Sequence, residues 1–449
     1  MSKETKKKLT EKEALSFPVI YPNTAGIDIS SSMHMVAVPA DRDTRPVRQF
    51  GCFTEDLHAI AKWLEQCKIE RIAMESTGVY WKPLFVLLLE YGFKVSLVNA
   101  RQIKNVSFHK TDKEDARWIQ RLHSCDLLPG SFLPDEPTEQ LRTLVRHRRR
   151  LLEDSSKYVL RMQKALELMN IKIHGVISDI MGKTGTAIIE AIIAGQRDAA
   201  AFLPFVDGRI KASHQTIEKS LTGTWNEGQL FLLAENYSIY KCLQQKILNC
   251  DSQIEKQLQQ YAAMYQDGIV ESGPAPVRTK KTKNQPSFDV KGYLYKIHGV
   301  DVTAIYGISE SCAMEILSET GTDLSKWENE KKFVSWLNLC PNNKITGGRI
   351  LSSAVLKKKA GAATQAFRAA ANALQKSNHY LGDYFRKMKS KKGNKYAIIA
   401  TAHKLAVIYY RMLTDKKPFN PIDVDEHREK IKTAKIEYLK RQLEKLQAA

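Results

Sequence analysis

From residue 21 onward the chain alternates short apolar runs with stretches of helical spacing. Ala25 to Ala40 reads as a strand, bent or paired with the one that follows, and Val47 to Phe53 as a further strand. Thr54 to Gln66 spaces its apolar residues three and four apart, with Thr54 as the expected N-cap. Arg71 to Met74 is a short apolar strand that ends at Glu75. Tyr80 to Tyr91 has the pattern of an amphipathic helix with Gly92 as its C-terminal stop. Lys94 to Val98 is another strand and Thr111 to His123 another helix.

Strands first in a meander and then alternating with helices match the order of an RNase H-like α/β fold over residues 21–138, after a basic lead-in at 1–20. Helical patterns dominate the rest. Glu139 to Met169 reads as one long charged helix, and Glu227 to Tyr261 repeats leucines near heptad spacing. The two suit an antiparallel coiled coil over 139–267, interrupted by a less regular, glycine-containing insertion at 170–226. Gly268 to Asp289 is rich in Pro, Lys, Thr and Ser and reads as a linker. A mainly helical domain is expected over 290–420, with helices at Thr303 to Thr320, Glu330 to Leu339, Ala362 to Lys376 and Tyr396 to Leu413. A charged helical tail follows at 421–449.

Composition narrows the classes of function. The 449 residues are 43% hydrophobic, enough for more than one core. A formal charge of +20 favours a polyanionic partner. The cations are clustered: Arg142, Arg146, Arg148, Arg149 and Arg150 on one predicted helix, Lys357, Lys358 and Lys359 further on, and Lys391 and Lys392 within a third group. Close spacing of this kind serves phosphate binding with counterion release, although solvated helix faces look the same in sequence. The seven cysteines show no paired zinc-ligand spacing and are expected to be reduced thiols of a cytoplasmic protein. The charged N-terminus lacks the apolar stretch of a signal peptide. No apolar run approaches the roughly 18 residues of a membrane span.

Three segments carry candidate chemistry. Asp28 interrupts the apolar strand Gly26-Ile27-Asp28-Ile29, and an unpaired carboxylate there is costly to bury. Glu75 ends the strand Ile72-Ala73-Met74-Glu75. In Lys110-Thr111-Asp112-Lys113-Glu114-Asp115, the three-residue separation of Asp112 and Asp115 puts both on one helix face, where they also suit a helix N-terminus. Four converging carboxylates repel one another unless a cation neutralises them. Magnesium favours oxygen ligands, manganese can replace it, and a pair of such ions serves phosphoryl transfer.

The order of these three segments resembles the DEDD transposases of bacterial insertion sequences, the Piv-like recombinases of insertion-sequence family one-ten and its eleven-eleven group. Their N-terminal domain resembles the resolvase RuvC. By that resemblance Asp28, Glu75, Asp112 and Asp115 are the metal-binding tetrad. The resemblance continues in Tyr306-Gly307-Ile308-Ser309, which opens a helix, and in Trp336 to Arg349. There the family places a nucleophilic serine before a glycine, and this chain has Thr346 before Gly347. Ser352 and Ser353 are the alternatives to Thr346. The family implies a nucleoid-associated recombinase that acts on DNA, works as a homodimer or homotetramer, and takes a noncoding guide RNA. A junction-resolving nuclease using water, or a non-catalytic nucleic-acid-binding protein, would present many of the same features.

Overall fold

The computed structural model describes residues 17–99, 111–264, 284–354 and 361–447. The predicted lead-in up to residue 16, residues 268–283 of the predicted linker, and Lys357, Lys358 and Lys359 lie outside the described residues. The chain divides into two compact units, Met1–Leu133 and Pro134–Ala449.

The first unit is built on a five-stranded sheet of order β3-β2-β1-β4-β5. Its strands are β1 (Thr24–Ile29), β2 (His34–Ala37), β3 (Val47–Phe50), β4 (Arg71–Glu75) and β5 (Lys94–Val98). The apolar stretch Ala25 to Ala40 is thus two paired strands. β1 runs antiparallel to β2 and parallel to β4, so it lies in the middle with a neighbour on each edge. Such a strand is buried on both faces, and its alternation divides it between two cores. Ala25, Ile27 and Ile29, with Ile72 and Met74 of β4, pack against Ile60 and Leu64 of α1 (Thr54–Gln66) and Leu84 and Leu88 of α2 (Trp81–Glu90). The opposite face, with Met35, Ala37, Ala73 and Val98, is covered by Ala116, Trp118, Ile119 and Leu122 of α3 (Asp112–Ser124).

α1 begins differently from its sequence reading. Phe53, not Thr54, is the N-cap, and its backbone N–H donates to the Asp56 carboxylate at 3.1 Å. A side chain one turn into the helix thus accepts from the capping residue's own amide, while Phe53 has no side-chain acceptor for the first amides of the helix.

α3 approaches β1 so closely that Gly26 has no room for a side chain. A Cβ there would lie 2.2 Å from the Gln120 nitrogen and 2.4 Å from the Ala116 carbonyl, both backbone atoms. The Gln120 amide also donates to the Thr24 hydroxyl at 3.1 Å, which ties the two elements together.

The second unit begins with two long helices, α4 (Glu136–Leu168) and, further along, α8 (Glu227–Ala263). Thr138 bonds Tyr261 at 2.7 Å, Arg148 pairs with Asp251, and Ser155 bonds Gln244 at 2.8 Å. Numbers that rise on one helix as they fall on the other establish an antiparallel pair. Between them, residues 170–226 form short helices rather than an irregular insertion: α5 (Ile173–Val176), α6 (Lys183–Ile193) and α7 (His214–Leu221). They share a core of Ile188, Ile189, Ile192, Phe202, Ile217 and Leu221 with Met162, Leu166 and Leu233 of the long helices. Elements of four to eleven residues are too short for a periodic pattern to emerge from sequence.

The remaining helices are α9 (Val290–His298), α10 (Glu310–Thr320), α11 (Glu330–Trp336), α12 (Ala362–Ala373), α13 (Tyr380–Lys392), α14 (Asn394–Asp415) and α15 (Val424–Gln447). α10 starts seven residues later than its sequence reading, because Ser309 caps it by accepting from the Cys312 N–H at 3.3 Å. Phe333, Phe367, Phe385, Leu405 and Tyr409 form the buried centre of this region. No described helix is long and apolar enough to cross a membrane.

Two predictions concern this framework. Gly26→Ala must force α3 off β1 and should cost about 3 kcal/mol in urea unfolding, the upper range for overpacking. Gly175→Ala, which meets nothing within 4 Å, should change stability by less than about 0.5 kcal/mol. In α4 and α8, Asp251→Ala should cost about 3–5 kcal/mol by leaving Arg148 buried without its partner. The double replacement Arg148→Met/Asp251→Leu should recover most of that loss in the same measurement.

Candidate active site

The alternation of β1 places Thr24, Gly26 and Asp28 on the face that receives α3, opposite Ala25, Ile27 and Ile29. The last parallel rung joins Ile27 to Met74, so Asp28 and Glu75 stand side by side one residue further along. Ala73 faces α3, and Glu75, two residues on, shares that face. The Glu75 carboxylate accepts a bond from the Thr77 hydroxyl at 3.0 Å.

Asp112 and Asp115 occupy the first turn of α3, where the helix dipole favours negative charge. Thr111 is the N-cap and accepts from the Glu114 N–H at 3.3 Å. Asp112 is exposed, whereas Asp115 is half-buried.

Asp28 registers the convergence. Its pKa is raised from 3.8 to about 7, first by burial and then by the charges of Glu75, Asp115 and Asp112. Each of the other three carboxylates named from sequence therefore acts on Asp28. Among the described residues, no three His, Cys, Asp or Glu side chains are close enough to cage an ion. The four carboxylates are electrostatic neighbours and not an assembled cage, as expected of like charges that only a cation offsets. An all-oxygen donor set of this kind fits a hard divalent ion such as magnesium.

The three candidate hydroxyls lie on a hairpin of the second unit, formed by β6 (Asn342–Thr346) and β7 (Arg349–Ala354). Gly347 and Gly348 make its two-residue turn with φ of +53° and +76°, the left-handed pair that a tight hairpin requires. Thr346 pairs with Arg349 beside the turn, Ser352 with Lys344, and Ser353 with Asn343. Residues 345–353 are all exposed. None of the three hydroxyls bonds to another described side chain. The glycine pair was a usable hairpin signal, but its flanking strands are short and polar enough to read as a loop.

Four of the five arginines named on α4 have partners within the protein. Arg142 donates to the carbonyls of Ser318 and Glu319 at 3.3 and 2.9 Å and pairs with Glu139. Arg146 clasps the Glu319 carboxylate with two bonds of 2.7 and 2.9 Å. Arg148 is buried on Asp251 and also donates to the Asn284 carbonyl at 3.1 Å. Arg149 bonds Glu153 at 3.1 Å and also the Gln365 side chain. Arg150 is exposed, as are Lys391 and Lys392 of α13. Glu319, 5% exposed, is the residue that sequence reasoning missed, because its partners lie more than 170 positions away.

Asp28→Asn provides a test of the carboxylate cluster in magnesium-free buffer. A carboxyl raised to about 7 in the fold ionises near 3.8 when unfolded, so it stabilises least above pH 7. The variant should therefore gain about 1–2 kcal/mol over the parent at pH 7.5, after discounting for solvent screening, and lose that gain below about pH 4. Thermal unfolding across that range measures it. Added magnesium should raise the parent's Tm and leave the variant's nearly unchanged.

Comparison with known families bears on both regions. Residues 25–171 match a transposase family model, that of the DEDD transposases of IS110. Residues 301–386 match a second, described as the transposase IS116/IS110/IS902 family. No curated protein matches the chain. The first match contains Asp28, Glu75, Asp112 and Asp115, and the second contains the hairpin with Thr346, Ser352 and Ser353. With both blocks present in this order, the chain belongs to the IS110 family of transposases.

Proposed function

We propose that this enzyme, which acts on DNA, cuts and rejoins the DNA phosphodiesters of an insertion sequence through its four carboxylates and a hairpin hydroxyl. The observation that carries this reading is the electrostatic effect of Glu75, Asp115 and Asp112, from two further elements, on Asp28. The strand order β3-β2-β1-β4-β5, with β2 antiparallel to its neighbours, supports an RNase H-like core for the first unit.

In this reading the carboxylates hold magnesium, as one ion or two, which when bound stabilises charge on the phosphodiester oxygens. Asp28 and Glu75 are set by the sheet, and Asp112 and Asp115 by the seating of α3 at Gly26. The hairpin hydroxyl, Thr346 first and Ser352 or Ser353 next, forms an ester bond to phosphorus as the bond to the leaving deoxyribose oxygen breaks. The proton given up by the hydroxyl is balanced by the one that the leaving oxygen gains. The charge of +20 and the exposed Arg150, Lys391 and Lys392 support contact with DNA and with a noncoding guide RNA. The same reading includes a homodimer or homotetramer.

A second reading, a nuclease in which water takes the place of the hydroxyl, is favoured by one observation. The residue before Gly347 is threonine, whose methyl crowds attack, and it bonds to no described acid or base.

One assay separates the two. Protein, magnesium, candidate guide RNA and a labelled DNA carrying the element junction should yield a protein–DNA adduct that survives denaturation. Mass spectrometry should place that adduct on the hairpin. Asp115→Ala should reduce adduct formation at least ~100-fold while leaving the fold intact, in line with loss of electrostatic stabilisation at a reacting centre. Cleavage without any adduct would establish the nuclease.

A further inference from the structure

The corner between α13 and α14 holds a run of lysines without described acidic partners. Lys387, Lys389, Lys391, Lys392 and Lys395 are all exposed and fall within nine positions. No described carboxylate is paired with any of them. The nearest acid in sequence, Asp383, is taken by Arg386 and by Arg428 of α15, the latter at 2.8 Å. Gly393, with φ of +82°, breaks the chain between the helices. α14 then starts without a side-chain cap or an acidic residue in its first turn, so its amide end faces the same cluster.

Aromatic rings are interleaved with these cations. Tyr396 is 42% exposed, and the Lys392 ammonium lies 5.2 Å from its ring centroid. Further along α14, the Lys404 ammonium sits 4.5 Å from the ring of Tyr384, a residue of α13. Two cation–ring pairs, Lys392 with Tyr396 and Lys404 with Tyr384, thus join α13 to α14. Next to Lys404, the ring of His403 lies 3.3 Å from the Leu339 carbonyl and 3.8 Å from the Cys340 sulfur, just before the hairpin begins at Asn342. α14 therefore carries the exposed ring of the lysine cluster near its start and touches the segment just before the strand of Thr346 through His403.

We propose that this corner binds an unpaired DNA strand, its phosphates on the lysines and a base stacked on Tyr396, and guides that strand toward the β6-β7 hairpin. Lysines alone would take any polyanion. The exposed ring among them is what discriminates, because a base in a duplex has no free face, whereas an unpaired base stacks on an aromatic whatever its sequence. The choice of DNA over RNA rests on the reading of the hairpin as acting on DNA.

Binding is measured without catalysis, by fluorescence anisotropy of the full chain with labelled oligothymidylate in EDTA. Tyr396→Ala should weaken binding by about 5- to 20-fold, and Tyr396→Phe should restore it. Replacing Lys391 and Lys392 by alanine should lower the salt slope by about 1.4, at roughly 0.7 per phosphate contact on a single strand. Neither Tyr396 variant should alter binding of a duplex of equal length. Unchanged oligothymidylate affinity in Tyr396→Ala with native circular dichroism would overturn the proposal. An equal loss on duplex, or binding confined to oligouridylate, would overturn it too. Failure of the adduct assay with this binding intact would remove the recombinase reading and leave the strand site in place.

Discussion

The contact on which the first unit depends is the seating of α3 against the middle strand at Gly26. A strand with neighbours on both edges and cores on both faces has no slack. Only the missing side chain lets the helix backbone come within touching distance. That approach has a chemical consequence. Asp112 and Asp115 belong to the first turn of the helix, and Asp28 lies two residues along the strand from the contact, on the same face. The packing that excludes solvent from the sheet also presses four carboxylates into one another's field. Asp28 carries the cost, since it is both partly buried and surrounded by like charge. Such an electrostatic load is unfavourable by itself, which is the physical ground for the proposal that a divalent cation offsets it.

In the second unit, charge is settled internally. The buried pair of Arg148 and Asp251 joins the long helices at mid-length, and further bonds to Asn284 and Ser287 tie the start of the following segment to the same point. Glu319 gathers Arg142 and Arg146 and fastens α10 to α4. Buried ion pairs contribute modestly to net stability but penalise every alternative alignment that leaves a charge without its partner. Cations that look in sequence like a nucleic-acid-binding helix act here as registration points. Among the described residues, a run of lysines with no acidic partner lies on α13 and at the start of α14.

The four carboxylates were legible because each sits on a strong local signal: a charge inside an apolar strand, a charge at a strand end, and a pair three residues apart at a helix start. The hairpin was less legible, since its flanking strands carry little apolar pattern, and residues 345–353 remain exposed in the fold. The helices of 170–226 were not legible. They are too short to show a period, and their close contacts, such as that of Gly223 against the Met169 carbonyl, are made across turns.

By itself the sequence determined the strands of the first unit and the long helices, the carboxylates, the hydroxyls before and after the glycine pair, and the surplus of positive charge. Each of these is written in neighbours a few positions apart. Tertiary structure decided the rest: that α3 lands on the Asp28 face of β1, that Gly26 is the point of contact, and which cations stay free. The partners of Arg148 and Arg146 lie 103 and 173 positions away. Local pattern shows that a side chain is charged. Whether that charge is answered depends on what the fold brings beside it.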